Sequence, residues 1–201
     1  MPYHHGDLPA ALLAAVQDAV AEVGVSGVSL RDVARRAGVS HGAPAHHFGT
    51  KAGLLTEFAT AGYELLAESI ITAIGAASPA SLRAELAAMG RGYVKFAITH
   101  PAHFEVMFRL DALEPANAEF TAASDAAYGL LLATIERCRA AGLLQGRSPE
   151  LVAVSAWSVV HGLSALWISG RLAERITEQD PDRLAMAVTE LFVASVLAGT
   201  G

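Results

Sequence analysis

The sequence predicts an all-α fold, and three observations carry that prediction. Apolar residues recur at helical spacing along most of the 201 residues, Ala, Leu and Val dominate while charged residues make up only 17%, and no stretch of any length alternates as a strand does. A hydrophobic fraction of 53% fills a sizeable core, enough for one large or two small domains. The arrangement expected is a compact N-terminal three-helix unit, joined by a long helix to a larger helical domain.

From Leu8 to Val23, residues Leu12, Leu13, Val16, Ala19, Val20 and Val23 mark one face of a helix that Gly24 stops. Gly27 turns the chain, Ser29 supplies an N-cap, and Leu30, Val33, Ala34 and Ala37 line a short helix ended by Gly38. Val39 buries the turn. Ser40 is expected to cap a helix over His41 to Phe48, too short to persist without its neighbours. After the Gly49-Thr50 break, Thr50 caps a long helix from Lys51 to about Ile74, with Leu54, Leu55, Phe58, Leu65, Leu66, Ile70 and Ile71 on its buried face. Further helices are predicted at about Ala80 to Thr99, Pro101 to Arg109, Ala116 to Ala141, Pro149 to Leu172 and Pro181 to Leu197. They are separated by breaks at Ser78-Pro79, His100-Pro101, Glu114-Pro115, Gly142 to Pro149 and Asp180-Pro181.

Several functional classes are disfavoured. A single cysteine, Cys138, rules out an internal disulfide framework and a cysteine zinc cluster, and fits a reducing cytoplasm. The start, Met1 to Asp7, has neither the basic segment nor the apolar run of a secretory signal. Charges and helical-period polar positions interrupt each apolar stretch, so no membrane span is expected. The net charge of -6 argues against a non-specific nucleic-acid coat protein. Residues 1 to 60 carry four cations (Arg31, Arg35, Arg36, Lys51) against five acids, so a DNA reader here lacks a bulk basic signature. No Glu-x-x-His pair, Gly-x-Ser-x-Gly elbow, phosphate loop or paired catalytic carboxylate motif is present, so neither catalytic residues, a bound metal nor a cofactor is expected. His100 and His103 would share a helix face only if the helix ran through Pro101.

Residues 29 to 48, Ser-Leu-Arg-Asp-Val-Ala-Arg-Arg-Ala-Gly-Val-Ser-His-Gly-Ala-Pro-Ala-His-His-Phe, meet the demands of a helix-turn-helix. A small residue (Ala34) lets two helices cross closely, a glycine (Gly38) turns the chain, and an apolar plug (Val39) fills the corner. An ordinary helical hairpin meets them as well.

The run from Val28 to Leu55, reading Val-Ser-Leu-Arg-Asp-Val-Ala-Arg-Arg-Ala-Gly-Val-Ser and then Phe-Gly-Thr-Lys-Ala-Gly-Leu-Leu, resembles the DNA-binding domain of the TetR family over nearly its full extent. Tyr3-His-His-Gly-Asp-Leu8 is also similar to many members. The resemblance implies a cytoplasmic dimeric regulator whose second helix-turn-helix element enters the major groove, with flanking polar groups on phosphate. On this reading residues 1–55 form the DNA-binding domain and 56–201 the effector-binding and dimerisation domain. Arg31 matches a position that contacts a base, and its guanidinium suits guanine O6 and N7. Ser40, His41, Gly42, Ala43 and His46 are the recognition-helix candidates; Ser29, His47, Thr50 and Lys51 match positions that hold the backbone. The sequence departs from the pattern at Ala45, where a phosphate-bonding tyrosine is usual, with Pro44 before it; one backbone contact is thereby lost.

In the larger part, Trp157-Ser-Val-Val-His161-Gly162-Leu-Ser-Ala-Leu-Trp167 resembles the subgroup named for its Trp-His-Gly motif. A homodimer seam is expected on the last two helices, using Val159, Leu163, Leu166, Leu184, Val188, Leu191, Phe192 and Val196. An effector pocket is suggested by Tyr93, Phe96, His100, Phe104, Met107, Phe108, Tyr128, Trp157 and His161, which combine aromatic bulk with polar tips, as core residues also do. The sequence shows no cluster of Arg or Lys to receive a phosphate or several carboxylates, so an apolar or aromatic effector is expected. The expected function is a repressor released from a palindromic operator by such a molecule. The alternative keeps the fold as a small-molecule binding protein or adaptor with weak or lost DNA binding; a helical-bundle enzyme is the remaining, poorly supported class.

Overall fold

The computed structural model describes residues 8–77 and 79–197. Tyr3 to Asp7 of the N-terminal match, and Ser78 of the Ser78-Pro79 break, lie outside the described residues. The described residues form nine α-helices and one 3-10 turn, with no strand, and the all-α prediction holds. In chain order the helices are α1 (Leu8–Gly27), α2 (Leu30–Arg36), α3 (Ala43–Phe48), α4 (Lys51–Ala77), α5 (Leu82–Thr99), α6 (Pro101–Met107), α7 (Ala118–Ala140), α8 (Pro149–Ile168) and α9 (Pro181–Val196), with the 3-10 turn at Leu110–Ala112 between α6 and α7.

The helices gather into two compact units. The described part of Met1–Tyr63 with His100–Ser124 forms the first, and Glu64–Thr99 with the described part of Asp125–Gly201 forms the second. Helices α4 and α7 each contribute to both.

In the first unit, α1 packs on α2 and α6, and α2 on α3. Gly24 breaks α1 as expected, at φ 67° and ψ 169°, and the chain resumes helical form to Gly27, burying Val25. Ser29 caps α2 by accepting the Asp32 amide at 3.2 Å, and Gly38 turns the chain at φ 68°, a conformation that excludes most side chains. The Val39 amide then donates to the Ala34 carbonyl at 3.0 Å. The role given to Ser40 is corrected. Helix α3 begins at Ala43 with Gly42 at its cap and no side-chain cap bond; Ser40 instead offers its carbonyl to the Ala43 amide at 3.0 Å. The Pro44 ring, whose fixed φ suits a first helical turn, sets the start later than the serine would. Helix α4 starts where predicted, with Thr50 Oγ1 accepting the Gly53 amide at 2.9 Å.

In the second unit, α5 packs chiefly on α9 and α8. Two glycines on α5 permit this crowding: a Cβ at Gly90 would lie 2.5 Å from Thr189 Cγ2 and 3.2 Å from Val160 Cγ1, and one at Gly92 2.8 Å from the Ile70 Cα. Ser69 Oγ donates to the Gly92 carbonyl at 2.9 Å, fixing α4 to α5. Ser148 and Asp180 cap α8 and α9. Helix α8 ends at Ile168, short of the predicted Leu172, because Gly170 adopts φ 70°.

The membrane expectation also needs correction. Helices α1 and α8 are long and apolar enough to cross a membrane by length and composition, since α8 carries Glu150 as its only carboxylate or cationic side chain. Part of that apolarity belongs to the units: Leu12, Val16 and Val20 of α1 and Val152, Ala153 and Val160 of α8 are buried.

Candidate nucleic-acid interface and ligand-contact clusters

The first unit presents α3 and the start of α4 as a surface. His41, Gly42, His46 and His47 are exposed and Ala43 is half-buried, while Pro44 faces inward. The His46 and His47 rings lie 5.5 Å apart, edge to face. Ala45 is exposed and offers no hydroxyl. Ser29, Arg31 and Ser40 are exposed beside them in sequence, and the Ser29 hydroxyl, having accepted the Asp32 amide, keeps its own hydrogen to donate.

The α2 cations divide into two kinds. Asp32 receives Arg35 and Arg36, and Arg36 also reaches Glu22 of α1 at 2.6 Å, so these two arginines bind α2 internally and to α1. Arg36, with Arg35, holds the Asp32 carboxyl below the usual carboxylate range. Arg31 has no ion pair among the described residues.

The junction of α3 and α4 is fixed by sterics. Gly49 turns at φ 70°, and a Cβ at Gly53 would sit 2.2 Å from the Phe48 carbonyl oxygen, so a glycine is required where the Phe-Gly-Thr-Lys-Ala-Gly run places one. Lys51 Nζ donates to the Ser26 carbonyl at 3.0 Å, which anchors the ammonium beside the end of α1. Sequence reasoning missed Glu114. Its Oε1 accepts the Thr50 hydroxyl at 2.9 Å, and its amide donates to the buried Thr56 Oγ1 at 2.8 Å. A carboxylate thus occupies the hydroxyl expected to meet a phosphate; nothing local in the sequence announces a partner 64 residues away.

The residues expected to line one effector pocket fall into both units. His100, Phe104, Met107 and Phe108 belong to the first, where the Phe104 and Phe108 rings meet edge to face at 5.5 Å. His100 and His103 come within 5.9 Å although α6 starts only at Pro101. His103 stacks on Phe58 at 3.8 Å, its Nδ1 is buried without a hydrogen-bond partner, and burial, with His100 nearby, lowers its pKa to about 4. Tyr93, Phe96, Tyr128, Trp157 and His161 belong to the second unit. There the Tyr93 hydroxyl lies 3.3 Å from Trp157 Nε1 and 3.0 Å from His161 Nδ1. Indole N–H only donates, so the phenol oxygen accepts from Trp157, and the His161 tautomer sets whether the phenol or Nδ1 is the donor in the second bond. Burial lowers the His161 pKa, favouring the neutral form. Tyr128 closes the group, its ring 5.8 Å from Trp157.

The expected absence of a cationic cluster is corrected: Arg91, Lys95 and Arg183, scattered in sequence, line one groove. On the last two helices, every seam residue predicted is half-buried or exposed, and Leu191 is 73% exposed. A Cβ at Gly162 would meet nothing within 4 Å.

Residues 12–58 match the profile of bacterial regulatory proteins of the tetR family, and residues 86–192, more than half the chain, match the tetracyclin repressor-like C-terminal domain. The chain belongs to the TetR family. No curated protein matches it in sequence. Among solved structures, a protein of unknown function from Rhodococcus sp. RHA1 is 30% identical, with a TM-score of 0.82 over 98% of this chain and 100% of that one. A tetR family regulatory protein from Rhodococcus RHA1 (24% identity, TM-score 0.74, 96% of this chain and 100% of that one) and the TetR family regulator PfmR from Thermus thermophilus (20%, 0.72, 90% and 96%) share the fold. The chain is therefore a helix-turn-helix, DNA-binding transcriptional regulator of the TetR family and not an enzyme. TetR family regulators bind DNA operators and small-molecule effectors and act as dimers.

Proposed function

We propose that this TetR family member is a cytoplasmic repressor that binds a palindromic operator as a homodimer and leaves it when a small, largely apolar or aromatic molecule binds the larger domain. The observation that carries the reading is the surface of α3: His41, Gly42 and His46 stand exposed on the second helix-turn-helix element, with Arg31 at the start of α2 in no ion pair among the described residues. Residues 1–55 read DNA, with Arg31, Ser40, His41, Gly42, Ala43 and His46 at base edges and Ser29, His47, Thr50 and Lys51 on the backbone. Residues 56–201 bind effector and dimerise through α8 and α9. Among the described residues their outward apolar side chains include Leu166 at 44% and Leu191 at 73% exposure, which a second copy would cover.

The effector site is centred on Tyr93, Trp157 and His161, whose hydrogen-bonded tips sit among aromatic faces. Effector binding shifts the population between DNA-competent and released states, and α4, which runs through both units, carries the change. Footprinting on the DNA flanking the gene tests the proposal. Two protected half-sites related by two-fold symmetry, about one or a few helical turns apart, are expected; one unpaired site, or uniform protection, would contradict it. A Tyr93→Ala or His161→Ala protein that folds and binds DNA is expected to lose its effector response, and an unchanged response would remove these residues from the site.

A further inference from the structure

Apart from the Tyr93 group, the second unit carries an open groove of about 430 Å³ between the end of α4, α5 and the first turns of α9. We propose that this groove binds an amphipathic carboxylate, one anionic head on an alkyl chain. Its walls differ in kind. The α4 wall is alanine only, Ala73, Ala76 and Ala77, and Met186 of α9, 43% exposed, continues the apolar lining. The α5 wall carries Arg91 and Lys95, one helical turn apart and without an ion pair among the described residues. Like charges at that spacing repel each other, and an anion placed between them removes the repulsion. Arg183 adds a third cation from α9, its bridge to Asp180 a long 3.6 Å, against one carboxylate, Asp182, in the lining.

The concentration of positive charge is notable in a chain of net charge -6. The volume lies within the range of about 300–1,000 Å³ found for small-molecule sites. Close approach of Gly92 to the Ile70 backbone seals the helices beneath. An alkyl chain lies against the alanines while its head meets Arg91 and Lys95, giving charge-assisted hydrogen bonds at one end and apolar contact along the rest. A neutral aromatic would leave the cations unanswered, and the alanines and Met186 give a second charged group no partner along the apolar wall. This site is separate from the effector cluster and does not depend on the DNA-binding reading.

Calorimetric titration of the full-length protein with decanoate at low salt tests it. Decanoate is expected to bind saturably and at least about tenfold more tightly than decan-1-ol, which has the chain without the charge. An Arg91→Gln, Lys95→Gln protein is expected to bind decanoate at least about tenfold more weakly with its decanol binding unchanged. Ala76→Phe, which fills the groove from an exposed position and keeps the cations, is expected to abolish binding of both. Tyr93→Phe is expected to leave decanoate binding as it was. No decanoate binding, equal affinity for decanol, or decanoate affinity unchanged in either groove variant would overturn the proposal.

Discussion

Arg31 and Arg35 sit four residues apart on α2 yet have different work. Arg35 is held by Asp32, whereas Arg31 has no carboxylate partner among the described residues. Replacing Arg31 with Ala is expected to cost about 1–3 kcal/mol of operator affinity and to relax sequence preference at one position, as loss of a bidentate base contact does; Arg35→Ala should leave preference unchanged in the same competition assay. Glu114 makes the opposite prediction. Its carboxylate takes the Thr50 hydroxyl and stands where a phosphate would be received, so Glu114→Gln is expected to tighten DNA binding several-fold, by roughly the ~1 kcal/mol of one charge near a phosphate. Weaker binding would show that the carboxylate positions Thr50 rather than competing for it. His103 is neutral in the fold, with its pKa lowered to about 4 by burial, while in the unfolded chain it takes a proton near 6.5. Between those values the unfolded state holds more protons. Its contribution to stability is therefore whole above pH 6.5 and falls as the pH drops toward 4, by roughly 3 kcal/mol in all. Urea midpoints measured at pH 7.5 and 4.5 are expected to fall further in the wild type than in His103→Phe, which keeps the stack on Phe58. Ser29 and Thr50 were legible as caps because capping is settled within three residues. Glu114 was not, because its partners Thr50 and Thr56 are far away in the chain.

At the level of elements, the periodicity of apolar residues located all nine helices of the described residues, and the errors lie at their ends. Helix α3 starts late because Pro44, rather than a serine hydroxyl, governs its first turn. Helix α6 ends at Met107, before the predicted Arg109, where Arg109 pairs with Asp111 at the 3-10 turn. Apolar spacing cannot register such local bonds. The most demanding joint is that of α3 and α4. With a Cβ 2.2 Å from the Phe48 oxygen, Gly53→Ala must displace the first turn of α4. Thermal denaturation is expected to show a loss of about 1–3 kcal/mol, and operator binding should fall with it because the turn holds Thr50 and Lys51. Gly129→Ala, on α7 with nothing within 4 Å, is the control; it should gain about 0.4–1 kcal/mol.

For the whole molecule, the division of the pocket residues between two compact units was beyond the sequence, since aromatic residues at helical spacing look alike in a core and in a site. The groove cations show the same limit: Arg91 and Arg183 line one groove only because α9 returns to α5. On α8 and α9 the apolar spacing was legible, and Leu166 and Leu191 of the residues it marks stay exposed. Leu191→Glu is expected to convert the protein to a folded monomer in sedimentation and to weaken operator binding by far more than one contact, since half-site reading requires a two-fold partner. The central claim, a sequence-specific DNA reader despite a net charge of -6, is tested most directly by fluorescence anisotropy on the flanking DNA at 50 and about 200 mM salt, against a scrambled duplex, with Arg31→Ala, Lys51→Ala in parallel. Binding is expected to weaken with salt, to prefer the flanking DNA at both concentrations and to be lost in the double variant. Equal affinity for the scrambled duplex, or undiminished binding by the variant, would contradict it.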